Sequence, residues 1–236
     1  MRAARPTFLR PRPATLTGRD VVLRPISRRD LPELERVPDD PAWDLLLRRP
    51  AGRDVRADAW LADAMRGMRS GIECAWTIRD RTDGRLLGST RYLNVDLAHQ
   101  RLEIGATWLL ADARGSSANL DSKLALLDHA FDVFGVRRVH VQADVHNERS
   151  RRAIEGLGAT LEGVLRRHIV RPDGTTRDTA VYSIIADEWA ERRAGIAEQL
   201  AAREASWRRR ESSLIVPAAS EPFVEVAMPT IASALG

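Results

Sequence analysis

Between residues 73 and 110 the sequence places three strand-patterned runs almost back to back: "ECAWTIRD" (73–80), "RLLGSTRYLNVD" (85–96) and "RLEIGATWLL" (101–110). The first connection, "RTDG" (81–84), carries turn residues. Runs this close, with connections this short, predict an antiparallel meander. That meander constrains the rest of the chain, because a sheet must bury a face against helices or a second sheet.

The flanks supply the helices. Upstream, "RDVVLRPI" (19–26) reads as a strand, and Ser27 is placed to cap a short helix containing Leu31 and Leu34. Residues 54–70 put Ala57, Trp60, Leu61, Ala64, Met65 and Met68 at spacings of three and four, a helix with one buried stripe. Downstream, residues 118–134 carry a second stripe: Leu120, Leu124, Leu127, Ala130, Phe131 and Phe134. A strand (137–145), a helix (148–158) and a strand pair (161–185) around a Pro-Asp-Gly turn follow. The order predicts an α+β fold, a mixed central sheet flanked by helices, over residues 17–189. Residues 1–16 are expected to be a flexible basic arm. Residues 186–213 read as one charged helix, with 190–213 as an extension beyond the domain. Its seam of Trp189, Ile196, Leu200 and Trp207 is suited to docking on the domain or pairing with a second copy. The apolar tail, 214–236, would add a strand or cover a groove.

Several function classes are disfavoured. Cys74 is the single cysteine, which rules out an internal disulfide and a Cys-rich zinc site and fits a reducing cytoplasm. His99, His129, His140 and His146 show no metal-ligand spacing, so no metal is expected. No run of about 18 apolar residues marks a membrane span. The formal net charge is only +4, Arg accounts for all basic residues except Lys123, and aromatics make up 5%. A nucleic-acid binder would show a clustered basic stripe with aromatics, so that reading is disfavoured. Lys123 is expected on an ordinary helix face, Cys74 as a small buried residue, and Asp173-Gly174 as turn chemistry.

Two segments carry chemistry. "WLLADARGSSAN" (108–119) joins a strand to a helix start; its small residues free backbone N–H groups, and the helix N-terminus adds partial positive charge. Such a loop suits a pyrophosphate, with Arg114 supplying a full charge. "NERSRRAIEGLGA" (147–159) opens a helix with Asn-x-x-Ser and closes it with Gly-Leu-Gly-Ala. Asn147 would cap that helix and Gly158 would end it, or the helix mouth holds a ligand.

In order, the meander ending in "EIGATWLL", the Arg-Gly-Ser-Ser loop, a strand, Asn-x-x-Ser, Leu-Gly-Ala and a strand pair resemble the GNAT superfamily of acetyl-CoA-dependent N-acetyltransferases. The RimJ/RimL-type branch, which includes acetyltransferases of protein N-termini, is the nearest look-alike. "LEIG", "NERSRRAIEGLGA", "EGVLRRHIVRPDG" and "RDTAVYSI" carry the likeness.

The resemblance implies a GNAT fold in which strand 101–110 splays from strand 137–145 and the pantetheine arm of acetyl-CoA lies in the gap. Backbone of Trp108, Leu109 and Leu110 would pair with that arm. The loop Arg114, Gly115, Ser116, Ser117, Ala118 and Asn119 would hold the pyrophosphate. Asn147 would bond the pantetheine and Ser150 would face the thioester sulfur. The family's loop is Gln/Arg-x-x-Gly-x-Gly/Ala; here Ser117 and Asn119 fill the two small-residue slots. The helix Tyr that many members use as general acid is replaced by Ile154, which leaves Ser150 as the candidate acid. Glu103 matches the branch's candidate base, although spacing alone reads it as a surface residue between buried Leu102 and Ile104. His168 lies toward the acceptor side, although a lone strand histidine is ordinarily structural or solvated.

The expected reaction is acetyl transfer to a primary amine, first of all a protein N-terminus. A small-molecule amine acceptor and a non-catalytic acyl-CoA- or partner-binding domain are the alternatives. The C-terminal helix is a candidate homodimer element.

Overall fold

The computed structural model describes residues 10–41, 46, 56–171 and 173–214, with side chains up to 203. Its strands are β1 (Leu16–Thr17), β2 (Val21–Pro25), β3 (Cys74–Asp80), β4 (Leu86–Asp96), β5 (Arg101–Leu109), β6 (Arg138–Asp144), β7 (Thr160–Val170) and β8 (Thr176–Ile185). They form one eight-stranded sheet ordered β1-β2-β3-β4-β5-β6-β8-β7. The predicted meander is β3-β4-β5, and every pairing is antiparallel except β5 with β6. A parallel pair needs a crossover, and a helix of the 118–134 segment provides it.

The helices are α1 (Leu31–Leu34), α2 (Ala57–Ser70), α3 (Ala118–Asp128), α4 (Glu148–Glu155) and α5 (Trp189–Leu214). The two sheet faces carry separate cores. One collects Leu102, Ile104 and Tyr92 with Leu126 and Leu127 of α3. The other collects Ala75 and Trp108 with Trp60, Leu61 and Ala64 of α2. The α2 stripe packs as its spacing predicts, and its end at Gly71 (φ 75°) is the left-handed turn that glycine permits. The helix expected over 118–134 changes character: after Asp128 a π-helical turn, His129–Val133, carries the chain on. That turn buries Phe131, whose ring stacks on Trp189 at 5.2 Å.

α5 docks on its own domain. Besides the Phe131–Trp189 stack, Ile196 and Leu200 are buried in the α3-side core. Arg193 forks onto Asp128, with Nε 2.6 Å from Oδ1. Farther along, Gln199 donates to the Gly156 carbonyl past the end of α4 (2.8 Å), and Arg203 reaches the Ser116 carbonyl (3.4 Å). One helix therefore touches both the loop before α3 and the end of α4. Trp207's side chain and residues 215–236 of the expected tail lie outside the described residues, as do residues 1–9 of the arm. The arm's described end is tied down, because the Trp76 indole donates to the Ala14 carbonyl at 2.7 Å.

Candidate functional site

The site begins where two strands part. β5 and β6 pair at Arg101–Arg138, Leu102–Val139 and Glu103–His140, and there the ladder stops. Gly105–Leu109 stays on β4, while Val141–Asp144 follows β8. The gap opens into a cleft of about 830 Å³, walled by β5, β6, the loop before α3, α4 and α5.

A one-residue bulge shapes the β5 wall. Register passes from Arg91↔Gly105 to Ser89↔Trp108, so β5 has one residue more than β4 across that step. Ala106 takes a left-handed φ of 47° to accommodate it. Facing partners share a sheet face, so Glu103 (opposite Leu93), Gly105 (opposite Arg91) and Trp108 (opposite Ser89) all project to the α2 side. Thr107 projects to the α3 side.

Glu103 lies at the point of the split. It is 8% exposed, so it is not the surface glutamate that spacing alone would make it. Its Oε2 accepts from Asn94 Nδ2 at 2.8 Å and lies 3.4 Å from His140 Nε2. Held by these neighbours and lining the cleft, it is placed to accept a proton there.

At the other end, Arg114, Gly115, Ser116 and Asn119 line the cleft, whereas Ser117 and Ala118 do not. Ser117 instead donates its hydroxyl to Asp20 Oδ2 at 2.6 Å, turning away from the cleft. Gly115 adopts φ 83° with open space where a Cβ would be. The first N–H groups of α3 have no intrahelical acceptor; Ser116 Oγ takes that of Ala118 at 3.1 Å. Arg114 is not a free cation: it pairs with Asp40 at 2.5 Å and donates from Nε to the Leu109 carbonyl at 3.1 Å. Arg149 and Arg203 add positive charge to the walls, whereas Arg152, which also lines the cleft, is paired with Glu148 at 3.2 Å. This end fits a phosphorylated ligand.

Along β5, Trp108 and Leu109 line the cleft but Leu110 does not. Leu110 donates its N–H to the Leu87 carbonyl at 2.8 Å, back toward β4. Strand alternation accordingly turns the Leu109 backbone toward the gap. On the facing wall Asn147 Oδ1 accepts from Ser150 N at 3.0 Å, so the residue does cap α4, and both residues also line the cleft. Asn147→Ala is expected to cost about 1 kcal/mol in urea unfolding from the lost cap and to weaken a ligand seated at that helix mouth. Ile154 is 4% exposed and apolar, with no proton to give. His168 is exposed on the outer strand β7 and does not line the cleft.

Lys123 corrects the reading of an ordinary helix face. It is buried, lines the cleft, and donates to Thr107 Oγ1 at 2.6 Å and to Thr90 Oγ1 at 3.4 Å. The signal was present: position 123 stands three after Leu120 and four before Leu127, on the buried stripe. Burial pulls its ammonium down to about 7. Between that value and the ordinary 10.5, the unfolded chain holds a proton that the folded chain lacks, so stability rises with pH. The expected gain between pH 7 and pH 9 is about 2 kcal/mol, measured by urea titration and absent in Lys123→Met. Higher pH works in the opposite direction, because burial pushes the Cys74 thiol from 9.0 up to about 12.

Among the described residues no helix is long and apolar enough to cross a membrane, and no three His, Cys, Asp or Glu side chains group as a metal site.

Comparison with known proteins follows the same geometry. The Acetyltransferase (GNAT) domain family matches residues 20–160. A protein of Bacillus subtilis (strain 168) described as "Putative ribosomal N-acetyltransferase YdaF" is 28% identical over 149 residues, 62% of this chain and 78% of that one. A crystal structure described as a "putative acetyltransferase" of T. thermophilus is 34% identical, with a TM-score of 0.70 over 80% of this chain and 97% of that one. "Mycobacterium smegmatis RimJ in complex with CoA-disulfide" shares the fold at 24% identity, with a TM-score of 0.64 over 76% and 93% of the two chains.

Proposed function

The chain belongs to the GNAT acetyltransferase family and is an N-acetyltransferase, and we propose that it carries an acetyl group from acetyl-CoA to the α-amine of a protein N-terminus. The observation that carries this reading is the split at Glu103–His140. It puts a buried carboxylate where the strands part, in a cleft whose other end presents α3's N-terminus and arginines.

In this reading the pyrophosphate rests against Gly115, Ser116 and Asn119. The pantetheine arm runs along Leu109 toward Asn147, and Ser150 faces the sulfur. The acceptor amine enters from the α2 side, where Glu103 and Trp108 project. Glu103 takes the proton of the attacking amine, and backbone N–H groups at the bulge stabilise the tetrahedral oxyanion. Backbone donors need no charge of their own to do so, because a water-excluded site strengthens them. The name borne by the B. subtilis relative supports a protein acceptor.

The test is a calorimetric titration with acetyl-CoA, followed by an acceptor panel of free-α-amine peptides, α-acetylated lysine peptides and polyamines. Turnover of the first group alone supports the reading. Turnover of polyamines alone would make the acceptor a small molecule. Micromolar binding without turnover of any amine would leave a non-catalytic acyl-CoA-binding domain.

A further inference from the structure

Among the charged side chains that line the cleft is one lysine, buried against the sheet. Lys123 is the chain's single lysine, set among arginines everywhere else. It is 5% exposed and reaches from α3 to the underside of the sheet. There it meets two hydroxyls, Thr107 Oγ1 and Thr90 Oγ1, themselves 2.8 Å apart. Among the described residues no carboxylate pairs with it.

The neighbouring charged and titratable groups are otherwise engaged. Glu103 and Arg91 project from the opposite sheet face, and Arg91 is bound to Asp63 and Glu73 there. On Lys123's own face, Tyr92 donates its hydroxyl to the Leu126 carbonyl, and burial lowers the His129 imidazole, keeping it neutral. Across the gap Asp144 is held by Arg171.

An unpaired buried ammonium is a cost to folding that an apolar side chain would avoid. An arginine here could not become neutral, whereas a lysine can. Thr107, its nearest partner, sits beside the bulge at Ala106 and also lines the cleft. The position from which many family members donate a proton is Ile154.

We propose that Lys123, acting through the Thr107 hydroxyl, returns the proton to the thiolate that leaves the donor thioester, as a positioning residue on the sheet face opposite Glu103. The proposal rests on the acetyl-transfer reading. As the tetrahedral intermediate collapses, the C–S bond breaks and its electron pair stays on sulfur. Thr107 gives its hydroxyl proton to the sulfur and takes one from the Lys123 ammonium. An S–H bond forms, Lys123 is left as a neutral amine, and water recharges it before the next turnover. Near neutral pH the buried ammonium releases that proton readily. Acid and base, on opposite faces of the sheet, do not neutralise each other.

The test uses the full chain and coenzyme A alone, so no acceptor need be known. The ultraviolet absorbance of the thiolate of bound CoA is followed against pH in the wild type, Lys123→Met, Thr107→Val and Thr107→Ser. A thiolate linked to Lys123 keeps the ammonium charged above the pH at which the amine alone would lose its proton, and the ammonium in turn favours the thiolate, so the two titrate as a pair. Ionisation in the wild-type complex is therefore expected about one pH unit below that in Lys123→Met. Thr107→Val is expected to lose the shift, and Thr107→Ser, which keeps a hydroxyl, to retain it. Lys123→Met is expected to fold with a raised Tm, since the two threonine hydroxyls still satisfy each other. Identical titrations in all four complexes overturn the proposal and leave acetyl transfer standing. Failure of all four proteins to bind CoA by calorimetry overturns both.

Discussion

Glu103→Gln is expected to lower kcat by about two to four orders of magnitude with the acceptor amine found by the panel, while KM for acetyl-CoA stays nearly unchanged. The substitution is close to isosteric. Asn94 Nδ2, which donates to Glu103 Oε2 at 2.8 Å, would still find an amide oxygen to donate to. What the amide cannot do is accept a proton from the attacking amine. The ground-state cleft is left intact and only the step that needs a base is slowed, so the loss belongs in kcat. A variant with wild-type kcat would remove Glu103 from the chemistry and leave it as a strut between Asn94 and His140.

Asp121→Ala is expected to cost about 3–4 kcal/mol in urea unfolding, a large part of the stability of a domain this size. Asp121 sits on α3, 1% exposed, and its carboxylate accepts the backbone N–H groups of Arg19, Asp20 and Val21 at 3.0, 2.7 and 3.0 Å. One side chain thus anchors the start of β2 from about a hundred residues away. Alanine would remove the acceptor from three donors and leave the aspartate's volume empty. Gly18 takes part in the arrangement: a Cβ there would meet Asp121 Oδ2 at 2.5 Å. Asp121→Asn keeps one acceptor oxygen and should lose less. A loss under about 1 kcal/mol for the alanine variant would mean that water replaces the carboxylate at those amides.

Much of this architecture was legible because period and turn chemistry agree over most of the chain. The meander, the α2 stripe and the hairpin at Pro-Asp-Gly were read from local pattern, and the structure places β3, β4, β5, α2, β7 and β8 there. The loop before α3 and the mouth of α4 were read from motif order, and the structure brings Arg114, Gly115, Ser116, Asn119, Asn147 and Ser150 to one cleft. What local pattern does not contain is pairing across space. Ser117 turns toward Asp20, ninety-seven residues earlier. Arg114 meets Asp40, and α5 folds back onto its own domain. Lys123 looked ordinary because a charge on a helix is ordinarily solvated; only tertiary packing puts one against Thr90 and Thr107.

The bulge at Ala106 has a further consequence. A strand is read two residues at a time, and an extra residue shifts that reading frame by one. Glu103 and Trp108 are separated by an odd step, which in an unbroken strand would send them to opposite sides; Ala106 absorbs the odd residue, and they share one. A strand one residue shorter would reach the same alignment with no bulge at all, since the step would then be even. The extra residue is thus superfluous to the placement of the carboxylate and the indole. What it adds is a peptide unit left out of the ladder with β4, in the stretch that walls the cleft. Side-chain placement and backbone presentation are set separately here, the first by parity and the second by an insertion whose own side chain is a methyl group.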